Sequence, residues 1–444
     1  MPNIRILFDV TCLAETGRTE KPHTGIGIVA YNLLYQFLNT QDVNVTLYCG
    51  QHVARNLPQV KQMMGNLELG TFIHKEQAEI TSQINRLISA SSGLYQLLDN
   101  RIAKICYSLI ARAATLTLYY VKYSLNRWVE WSDYQKKKED FNQFDLFFSP
   151  MYAPPYSVLR KHKIKKVLVI YDFIPLVLDD YQFITNIWFR DIIKCIRQDI
   201  SFFSISQTTK NDYMALFKDK YKQLAPMEVT PIAVNTDFIP YDDKEKMGRI
   251  CAKYGIPADK KYFFHISTLD ARKNIKKALA IFAEFVRQYS IKDLVFVLGG
   301  NAGPKFLEKN SRYFKQYNIN TENIIATGRI DSADLPVIYS AAEAFIFVST
   351  YEGFGLPLLE AMKCGCPVVA SDIPPLVEIS GNAAIIVDPS SDQQMFEAFS
   401  QLYFDEKLRR HYINAAIERA AFYTWEKTAS SMMSTIRRLC VKGQ

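Results

Sequence analysis

Two glutamates, Glu352 and Glu360, bracket a short glycine-containing run that could bind an anion and a polyol. The run follows the strand-like residues 344–349 and leads into the helix-like residues 358–362. Backbone N–H groups at such a strand-to-helix turn suit a diphosphate. Glu352 is expected in the turn, where it can accept hydrogen bonds from ligand hydroxyls, and Glu360 in the first helical turn, facing the same cleft. The same pattern also occurs in ordinary tight turns with an acidic residue near a helix start.

Two cations, Arg272 and Lys273, follow the strand-like residues 262–267 and precede a predicted helix over residues 275–289. Cations at a strand end can neutralise a diphosphate leaving group, with lysine acting as a point charge and arginine as a planar fork. The plain alternative is a pair of solvated surface cations.

Asp172 ends a buried strand-like run over residues 166–171 and is followed by a proline-bearing turn. Ligands of open α/β sheets gather at the carboxyl ends of strands, so this carboxylate is a candidate for the site. It can instead cap the turn that follows it.

Glycines mark further candidate contacts with a ligand. Gly25 and Gly27 open a predicted helix, where backbone N–H groups can approach a phosphate. The third glycine of a dinucleotide fingerprint is missing, so NAD binding is disfavoured. Gly300 and Gly328, at predicted strand ends, each allow a flat ring or a phosphate close to the backbone.

Composition indicates a folded globular protein of two or three domains. The 444 residues are 48% apolar and 22% charged, and the net charge is +8. This charge fits an anionic substrate or membrane surface, but no dense basic tract indicates nucleic-acid binding. The eight cysteines lack the spacing of a metal site or a disulfide framework, which favours a reducing, cytoplasmic compartment. We expect no signal peptide and no transmembrane helix, because no apolar run reaches the ~18 residues required.

Apolar strand-like runs alternate with helical patterns, which predicts an α/β protein with parallel sheets and crossover helices. Two doubly wound units fit this order better than one, and the charged residues 237–261, which follow strand-like residues 229–234, are predicted to link them. The other predicted strands are 4–9, 43–49, 146–149, 166–171, 201–206, 262–267, 294–299, 324–327, 344–349, 367–370 and 384–387.

Residues 51–140 interrupt the first unit and are predicted to be a largely helical insertion. Residues 101–140 contain eight Lys and Arg against four Asp and Glu, interleaved with tyrosine and tryptophan. Such a pattern suits an amphipathic helix on an anionic membrane, with residues 95–138 as the contact region. It also fits an insertion whose aromatic side chains pack on the domain.

Taken together, these motifs resemble the retaining glycosyltransferases of family 4, which have the GT-B fold of two Rossmann-like domains facing a cleft. The resemblance covers roughly residues 200–425, and the first half matches more loosely. The motifs that carry it are Arg272-Lys273-Asn274, Thr327-Gly328-Arg329-Ile330, the run from Ser349 to Ser371, Gly25-x-Gly27 and Tyr171-Asp172-Phe173-Ile174-Pro175.

The resemblance implies a role for each matching residue. Glu360 would hold the ribose hydroxyls of the donor, and Glu352 would contact the transferred sugar. Arg272 and Lys273 match the cations on the donor diphosphate, and Asp172 is a candidate catalytic residue with them. The other implied donor-binding residues are Gly25, Gly27, Tyr171, Thr268, Gly300, Arg329, Ile330, Gly353, Phe354, Gly355 and Leu356.

Two positions depart from the family pattern. Many relatives have an arginine at the position of Thr268, so diphosphate neutralisation here would depend more heavily on Arg272 and Lys273. Many also have a histidine at the position of Tyr171, and a tyrosine cannot carry the positive charge of a histidine at neutral pH. Asp172 is therefore the better catalytic candidate of the two neighbours.

The resemblance also implies the domain organisation and the activity. Residues 1–236 would form the acceptor-side domain with the insertion at about 51–140, residues 237–424 the nucleotide-sugar-binding domain, and residues 425–444 a helix that returns to the first domain. The expected reaction moves a hexose, with GDP-mannose as the best guess for the donor, to a glycan or polyprenyl-linked acceptor in surface polysaccharide assembly, at the inner face of the cytoplasmic membrane.

Two other functions stay open at this point. One is a transferase of the same fold that uses a UDP- or dTDP-linked sugar. The other, from a different class, is a noncatalytic GT-B-like binding subunit. For a transferase with any of these donors, no cofactor and no metal are expected, because the two cations and the helix start can stabilise the leaving diphosphate.

Overall fold

The computed structural model describes residues 3–16, 25–65, 70–74, 141–159, 163–178, 187–196, 199–300 and 303–441. Within these ranges the strands form two parallel sheets, one of seven and one of six strands. The first sheet consists of β1 (Ile4–Asp9), β2 (Val43–Gly50), β3 (Thr71–His74), β4 (Leu146–Ser149), β5 (Lys165–Ile170), β6 (Ser201–Ser204) and β7 (Met227–Val229). The second consists of β8 (Lys261–Ile266), β9 (Leu294–Gly299), β10 (Ile324–Gly328), β11 (Ala344–Phe347), β12 (Val368–Ser371) and β13 (Ile385–Val387).

Helices connect the strands of both sheets. In the first half they are α1 (Thr11–Ala14), α2 (Gly25–Leu38), α3 (Leu57–Met63), α4 (Tyr156–Leu159), α5 (Ile174–Val177), α6 (Ile187–Cys195) and α7 (Gln207–Phe217). In the second half they are α8 (Lys244–Lys253), α9 (Ile275–Gln288), α10 (Gly303–Lys309), α11 (Ser311–Gln316), α12 (Leu335–Ala341), α13 (Leu356–Lys363), α14 (Pro374–Ser380), α15 (Asp392–Phe404), α16 (Glu406–Ala420) and α17 (Trp425–Val441). Short 3-10 turns occur at Gln51–Asn56, Phe141–Gln143, Ala271–Lys273 and Thr321–Asn323.

The strand sequences require cover on both faces of each sheet. Every residue of β11 and of β9 is buried, although successive side chains of a strand point to opposite faces. The crossover helices supply that cover. In α9, for example, the buried residues recur at helical spacing, and one face of the helix therefore packs on the sheet; these residues are Ile275, Ala278, Leu279, Ile281, Phe282, Phe285 and Val286.

The strand order determines where each sheet can bind a ligand. The second sheet runs β10-β9-β8-β11-β12-β13, and the first runs β3-β2-β1-β4-β5-β6-β7. The order therefore reverses between β8 and β11 in one sheet and between β1 and β4 in the other. Loops that leave the carboxyl ends of strands at such a reversal diverge to opposite faces and form a crevice.

The last helix packs on the first half of the chain. Thr428 Oγ1 of α17 donates to the Pro231 carbonyl oxygen at 2.7 Å, and the Arg438 guanidinium is 2.6 Å from the Glu228 carboxylate. Met432, in the middle of α17, is fully buried in an apolar core that includes side chains of both sheets.

The structure confirms the predicted α/β class and parallel sheets, and it corrects several details. The strand predicted over 229–234 is wrong beyond Val229, because its partner β6 ends at Ser204, whose carbonyl oxygen accepts the last ladder bond, from Thr230 N–H at 2.8 Å. β3 lies inside the stretch predicted to be helical, and α8 lies inside the predicted linker. Residues 75–140, which include most of the predicted insertion and the membrane-contact region, lie outside the described residues. In the described ranges, no helix combines the length and apolarity needed to cross a bilayer.

Met432→Ala tests how strongly α17 holds the two halves together. Removing this buried side chain should lower the free energy of unfolding by about 2–5 kcal/mol, because the helix cannot collapse fully into the cavity. Urea unfolding followed by circular dichroism measures the change. Ser434→Ala, on the exposed side of the same helix, is the matched control and should leave stability within about 0.5 kcal/mol of wild type. Equal effects of the two substitutions would contradict the packing described here.

Candidate active site

Three charged side chains from two loops converge at the carboxyl ends of β8 and β11. The Glu352 carboxylate accepts from Arg272 at 2.8 Å through one oxygen and from Lys273 Nζ at 2.5 Å through the other. Lys273 and Glu352 are 6% and 7% exposed, so solvent screens their attraction poorly. Because β8 and β11 are adjacent in the sheet, two segments about eighty residues apart in sequence form one cluster.

Backbone contacts hold these two loops in register. Thr350 N–H donates to the Arg272 carbonyl oxygen at 2.7 Å, and the Arg272 guanidinium donates to the Tyr351 carbonyl oxygen at 3.0 Å. On its other side Arg272 is 3.3 Å from the carboxylate of Asp270. The guanidinium therefore spans both loops and has little freedom to move on its own.

Lys273 sits in an environment that opposes its charge. Burial lowers the pKa of its ammonium group, and the neighbouring Glu352 carboxylate opposes that shift. The ammonium also lies 5.1 Å from the ring centroid of Phe347, a distance that suits a cation–π contact. The lysine charge thus depends on an anionic partner, which Glu352 provides in this state.

A buried histidine fixes the start of the loop that carries the two cations. His265 Nδ1 is 2.8 Å from the Ile346 carbonyl oxygen, which can only accept, so Nδ1 carries the proton. Nε2 then accepts from Ser267 Oγ at 2.7 Å, and the same Oγ accepts from Leu269 N–H at 3.0 Å. Burial lowers the pKa of His265 to about 3. The imidazole is therefore neutral at neutral pH, and this series of hydrogen bonds keeps one arrangement.

Glu360 lies in the second turn of α13, one turn later than expected, because the helix begins at Leu356 rather than at residue 358. Its carboxylate accepts from the Tyr339 hydroxyl at 3.0 Å. Burial raises the pKa of Glu360 to about 7, and the hydrogen bond from Tyr339 acts in the opposite direction. Glu360 as a whole residue is partly exposed, and the hydrogen bonds and ion pairs of the described residues do not join it to the Arg272–Lys273–Glu352 cluster.

The turn before α13 touches the other sheet at Gly353. A Cβ atom at this position would come within 2.7 Å of Asp172 Cβ and 2.8 Å of the Tyr171 carbonyl oxygen. Only glycine therefore allows this approach. Gly355 instead occupies the N-cap position of α13, and no side-chain hydrogen bond caps this helix. Its φ of +114° lies in a region that is accessible to glycine alone.

Asp172 caps the turn that follows it and also lies beside the turn before α13. Its Oδ1 accepts from Ile174 N–H at 3.0 Å, so it does cap the following turn. It also lies against Gly353, and the charge of Arg272 influences it. Burial raises the pKa of Asp172, while the Ile174 hydrogen bond and Arg272 lower it.

Helix α7 of the first half docks on the same turn. Ser206, its N-cap, donates through Oγ to the Gly353 carbonyl oxygen at 2.6 Å. Thr209 Oγ1 donates to the Tyr171 carbonyl oxygen at 3.0 Å, and the Tyr351 hydroxyl donates to the Asp212 carboxylate. Sequence reasoning missed these residues. Only the serine opening a helical pattern at Ser206 could have suggested an N-cap, and nothing local identifies its partner.

The remaining donor-binding candidates are spread around this cluster. Tyr171 donates its hydroxyl to the Pro150 carbonyl oxygen at 2.8 Å, and Thr268 donates to Asp270 at 2.7 Å. Phe354 and Ile330 are buried in the apolar core, whereas Arg329 is exposed.

Two sets of glycines differ in how tightly they are constrained. Gly300 is irreplaceable where it lies, because a Cβ atom there would be 2.3 Å from the Ser267 carbonyl oxygen. Gly25 begins α2 with open space around it, and Gly27 follows in the first turn. The described contacts do not join Gly25, Gly27 or Arg329 to the Arg272–Lys273–Glu352 cluster.

In the described part of the chain, no three His, Cys, Asp or Glu side chains are grouped as they would be around a metal ion.

Comparison with known proteins agrees with this architecture. Residues 247–419 match the family described as glycosyl transferases group 1. The serotype-specific mannosyltransferase WbdA of Escherichia coli is 28% identical over 292 residues, which are 63% of this chain but 34% of WbdA. The O-antigen chain mannosyltransferase B of Escherichia coli is 27% identical over 243 residues, covering 53% of this chain and 60% of that protein. The matched part thus spans about a third of the length of WbdA.

The solved structures extend the likeness to both halves. Anabaena HepE in complex with UDP and glucose superimposes with a TM-score of 0.63 over 98% of this chain and all of its own, at 12% identity. At that identity the likeness concerns the fold, and it confirms the GT-B arrangement of two Rossmann-like units.

Glu360→Gln tests how the raised pKa of Glu360 affects the stability of the fold. Because burial raises the pKa of Glu360 to about 7, the folded chain binds this proton more tightly than the unfolded chain does. The resulting stabilisation is complete below pH ~4 and is lost as the pH rises through about 7. Gln can keep the hydrogen bond from Tyr339, so the variant should be more stable than wild type near pH 8.5 by on the order of 1–3 kcal/mol, and by much less near pH 5.

Urea unfolding at both pH values measures this difference. Glu418→Gln, at an exposed position, is the control and should give no pH-dependent gain. If the free energies of unfolding of Glu360→Gln and wild type differ by the same amount at both pH values, ionisation of Glu360 does not destabilise the fold.

Proposed function

We propose, starting from the glycosyl transferases group 1 domain at residues 247–419, that this protein is a glycosyltransferase. It would move a hexose from a nucleotide-diphosphate sugar to a hydroxyl group of an acceptor, with retention at the anomeric carbon. The observation that carries the proposal is the convergence of Arg272 and Lys273 on Glu352, directly before the N-terminus of α13. Cations, a carboxylate and free helix N–H groups are the groups that a diphosphate-linked sugar requires.

The donor diphosphate would take over the cations from Glu352. Arg272 and Lys273 carry two positive charges, and Asp270 and Glu352 balance them in this state. A diphosphate can offer both cations more oxygen acceptors than one carboxylate. Glu352, released from them, is then available to the hydroxyl groups of the sugar. The carboxylate thus holds the cations in place before the donor arrives and contacts the sugar afterwards.

Other residues would hold the nucleoside. Ionised Glu360 can accept hydrogen bonds from both ribose hydroxyls, and its hydrogen bond from Tyr339 fixes its orientation. Gly300 and Arg329 follow neighbouring strands of the same sheet and would border the base, with the backbone of the buried Ile330 beside them. Close approach of a flat ring is possible at Gly300 because no side chain stands there.

Bond cleavage would rely on charge stabilisation rather than on a protein nucleophile. Negative charge builds on the diphosphate as the sugar leaves, and the preorganised cations and the N–H groups of α13 stabilise it. We favour a displacement on the same face, in which the departing phosphate accepts the proton of the acceptor hydroxyl. Asp172 lies against Gly353 and would orient the sugar or the acceptor. The cations supply the role that a metal has in other transferases, so the proposal includes no metal and no cofactor.

The relatives suggest the donor and the acceptor. Two of them are named as mannosyltransferases, one of the O-antigen chain, which supports GDP-mannose and a glycan or polyprenyl-linked acceptor at the inner face of the cytoplasmic membrane. HepE was solved with UDP-glucose, which keeps a UDP-linked donor as the second candidate.

A donor panel tests the proposal. The full chain is incubated with GDP-mannose and with UDP- and dTDP-linked hexoses, with a lipid-linked glycan as acceptor, and the released nucleotide is measured. Lys273→Met should lower kcat/KM by about 100-fold or more, because one cation on the leaving group is lost. Lys315→Met, at an exposed position outside the site, should behave like wild type.

Two results would count against the assignment. Full activity of Lys273→Met would refute the role of the cations. Failure of folded wild-type protein to release nucleotide from any donor would favour a noncatalytic binding subunit.

A further inference from the structure

A cavity lies next to the loop that carries Arg272 and Lys273. Its volume is about 630 Å³, which is within the range of small-molecule sites. Asp270 and Ala271 of that loop line it, together with the first turn of α9 and residues of α10 and α11. Neither cation of the donor site lines it, nor do Glu352 and Glu360.

The lining is strongly cationic. Four lysines contribute to it, two from the start of α9 and two from α10: Lys276, Lys277, Lys305 and Lys309. The acidic lining residue, Asp270, is already engaged by Arg272 at 3.3 Å and by the hydroxyl of Thr268 at 2.7 Å. The cavity therefore carries an excess of positive charge that its own carboxylate does not offset.

The lysines differ in how far they are already engaged. Lys277 is 2.7 Å from Asp392, and Lys276 lies 5.5 Å from the ring centroid of Tyr313. Lys305 and Lys309 are exposed, and the structure pairs neither of them with a carboxylate of the described residues. Both are thus available to an anion in the cavity.

Backbone donors add to this charge. The helix α9 has 14 residues, and no side-chain hydrogen bond caps its N-terminus; its N-cap residue, Asn274, donates its amide to the Pro389 carbonyl oxygen at 2.9 Å. The first N–H groups of a helix have no partner within it, and they carry a partial positive charge. Asn274, Ile275 and Lys276, the residues at this helix start, all line the cavity.

We propose that this cavity binds a phosphate-bearing ligand at a site separate from the donor cleft. Lysine ammonium groups and uncapped helix N–H groups both favour a compact anion with several oxygens, which describes a phosphate or diphosphate group. The ring of Tyr313 and the side chain of Phe306 line the same cavity and offer an apolar surface for the part that bears the phosphate. The ligand would also contact the loop of Asp270 and Ala271, next to Arg272.

Calorimetric titration of inorganic pyrophosphate into the full chain tests this site. Lys305→Gln combined with Lys309→Gln should weaken pyrophosphate binding about tenfold or more, because two charge-assisted contacts are lost. The matched control combines Lys315→Gln with Lys407→Gln, two exposed lysines outside the cavity, and should keep wild-type affinity. Repeating the titrations in Lys273→Met weakens binding in the donor cleft but leaves the lysines of this cavity intact, so that binding at the two sites can be told apart.

A site-resolved measurement covers the case in which a variant folds poorly. Wild-type protein is treated with pyridoxal 5′-phosphate and borohydride, and the modified lysines are identified by mass spectrometry. We expect modification at Lys305 and Lys309 well above that at Lys315, and protection by pyrophosphate. Unprotected, uniform modification of exposed lysines together with unchanged pyrophosphate affinity in the double variant would overturn the proposal.

Flotation with vesicles then distinguishes the sources of the phosphate. Vesicles of phosphatidylglycerol are compared with vesicles of phosphatidylcholine, with wild type and with the Lys305→Gln, Lys309→Gln variant. Flotation on anionic vesicles that the variant loses identifies a lipid headgroup. Pyrophosphate binding without such a loss identifies a free phosphorylated molecule.

Discussion

The buried ion pairs among Arg272, Lys273 and Glu352 are the constraint on which the rest of the site depends. An isolated charge at such a position would be too costly, and removing one partner of a buried pair typically costs about 3–5 kcal/mol. The two loops must therefore stay together, and they can do so because β8 and β11 are adjacent strands. The His265–Ser267–Leu269 chain and the hydrogen bond from Thr350 to Arg272 then fix the backbone that carries these charges. In the proposed function the same ion pairs make the site responsive, since the donor diphosphate would displace the carboxylate.

The first half of the chain closes the site through small residues and backbone groups. Gly353 can lie against Asp172 only because it has no side chain. Ser206 then reaches its carbonyl oxygen, while Tyr351 reaches across to Asp212. A sugar held by Glu352 would consequently lie beside residues of the other sheet. The contact between the two halves of the chain therefore creates a site geometry that the second sheet alone could not provide.

Local sequence patterns were sufficient for most of the elements but not for their partners. Apolar runs such as residues 294–299 predicted strands correctly, because complete burial in a parallel sheet requires continuous apolar sequence. The stretch after Val229 misled, because its apolar pattern resembles a strand although the partner strand β6 ends at Ser204. β3 was missed because it lies in a stretch with helical character. The pairing of Glu352 with Lys273 depends on strand order, which no local pattern encodes, and the contact between Tyr351 and Asp212 depends on how the two sheets meet.

The exchange of Glu352 for a diphosphate on the two cations can be measured directly by titrating GDP and UDP into wild type and Glu352→Gln. Gln keeps the size of the side chain but removes the competing charge. If the exchange is correct, the preferred nucleotide should bind Glu352→Gln more tightly than wild type, by roughly fivefold or more, while sugar transfer by the variant falls. Unchanged or weaker nucleotide binding to Glu352→Gln would contradict it, because Glu352 would then not compete with the donor for Arg272 and Lys273.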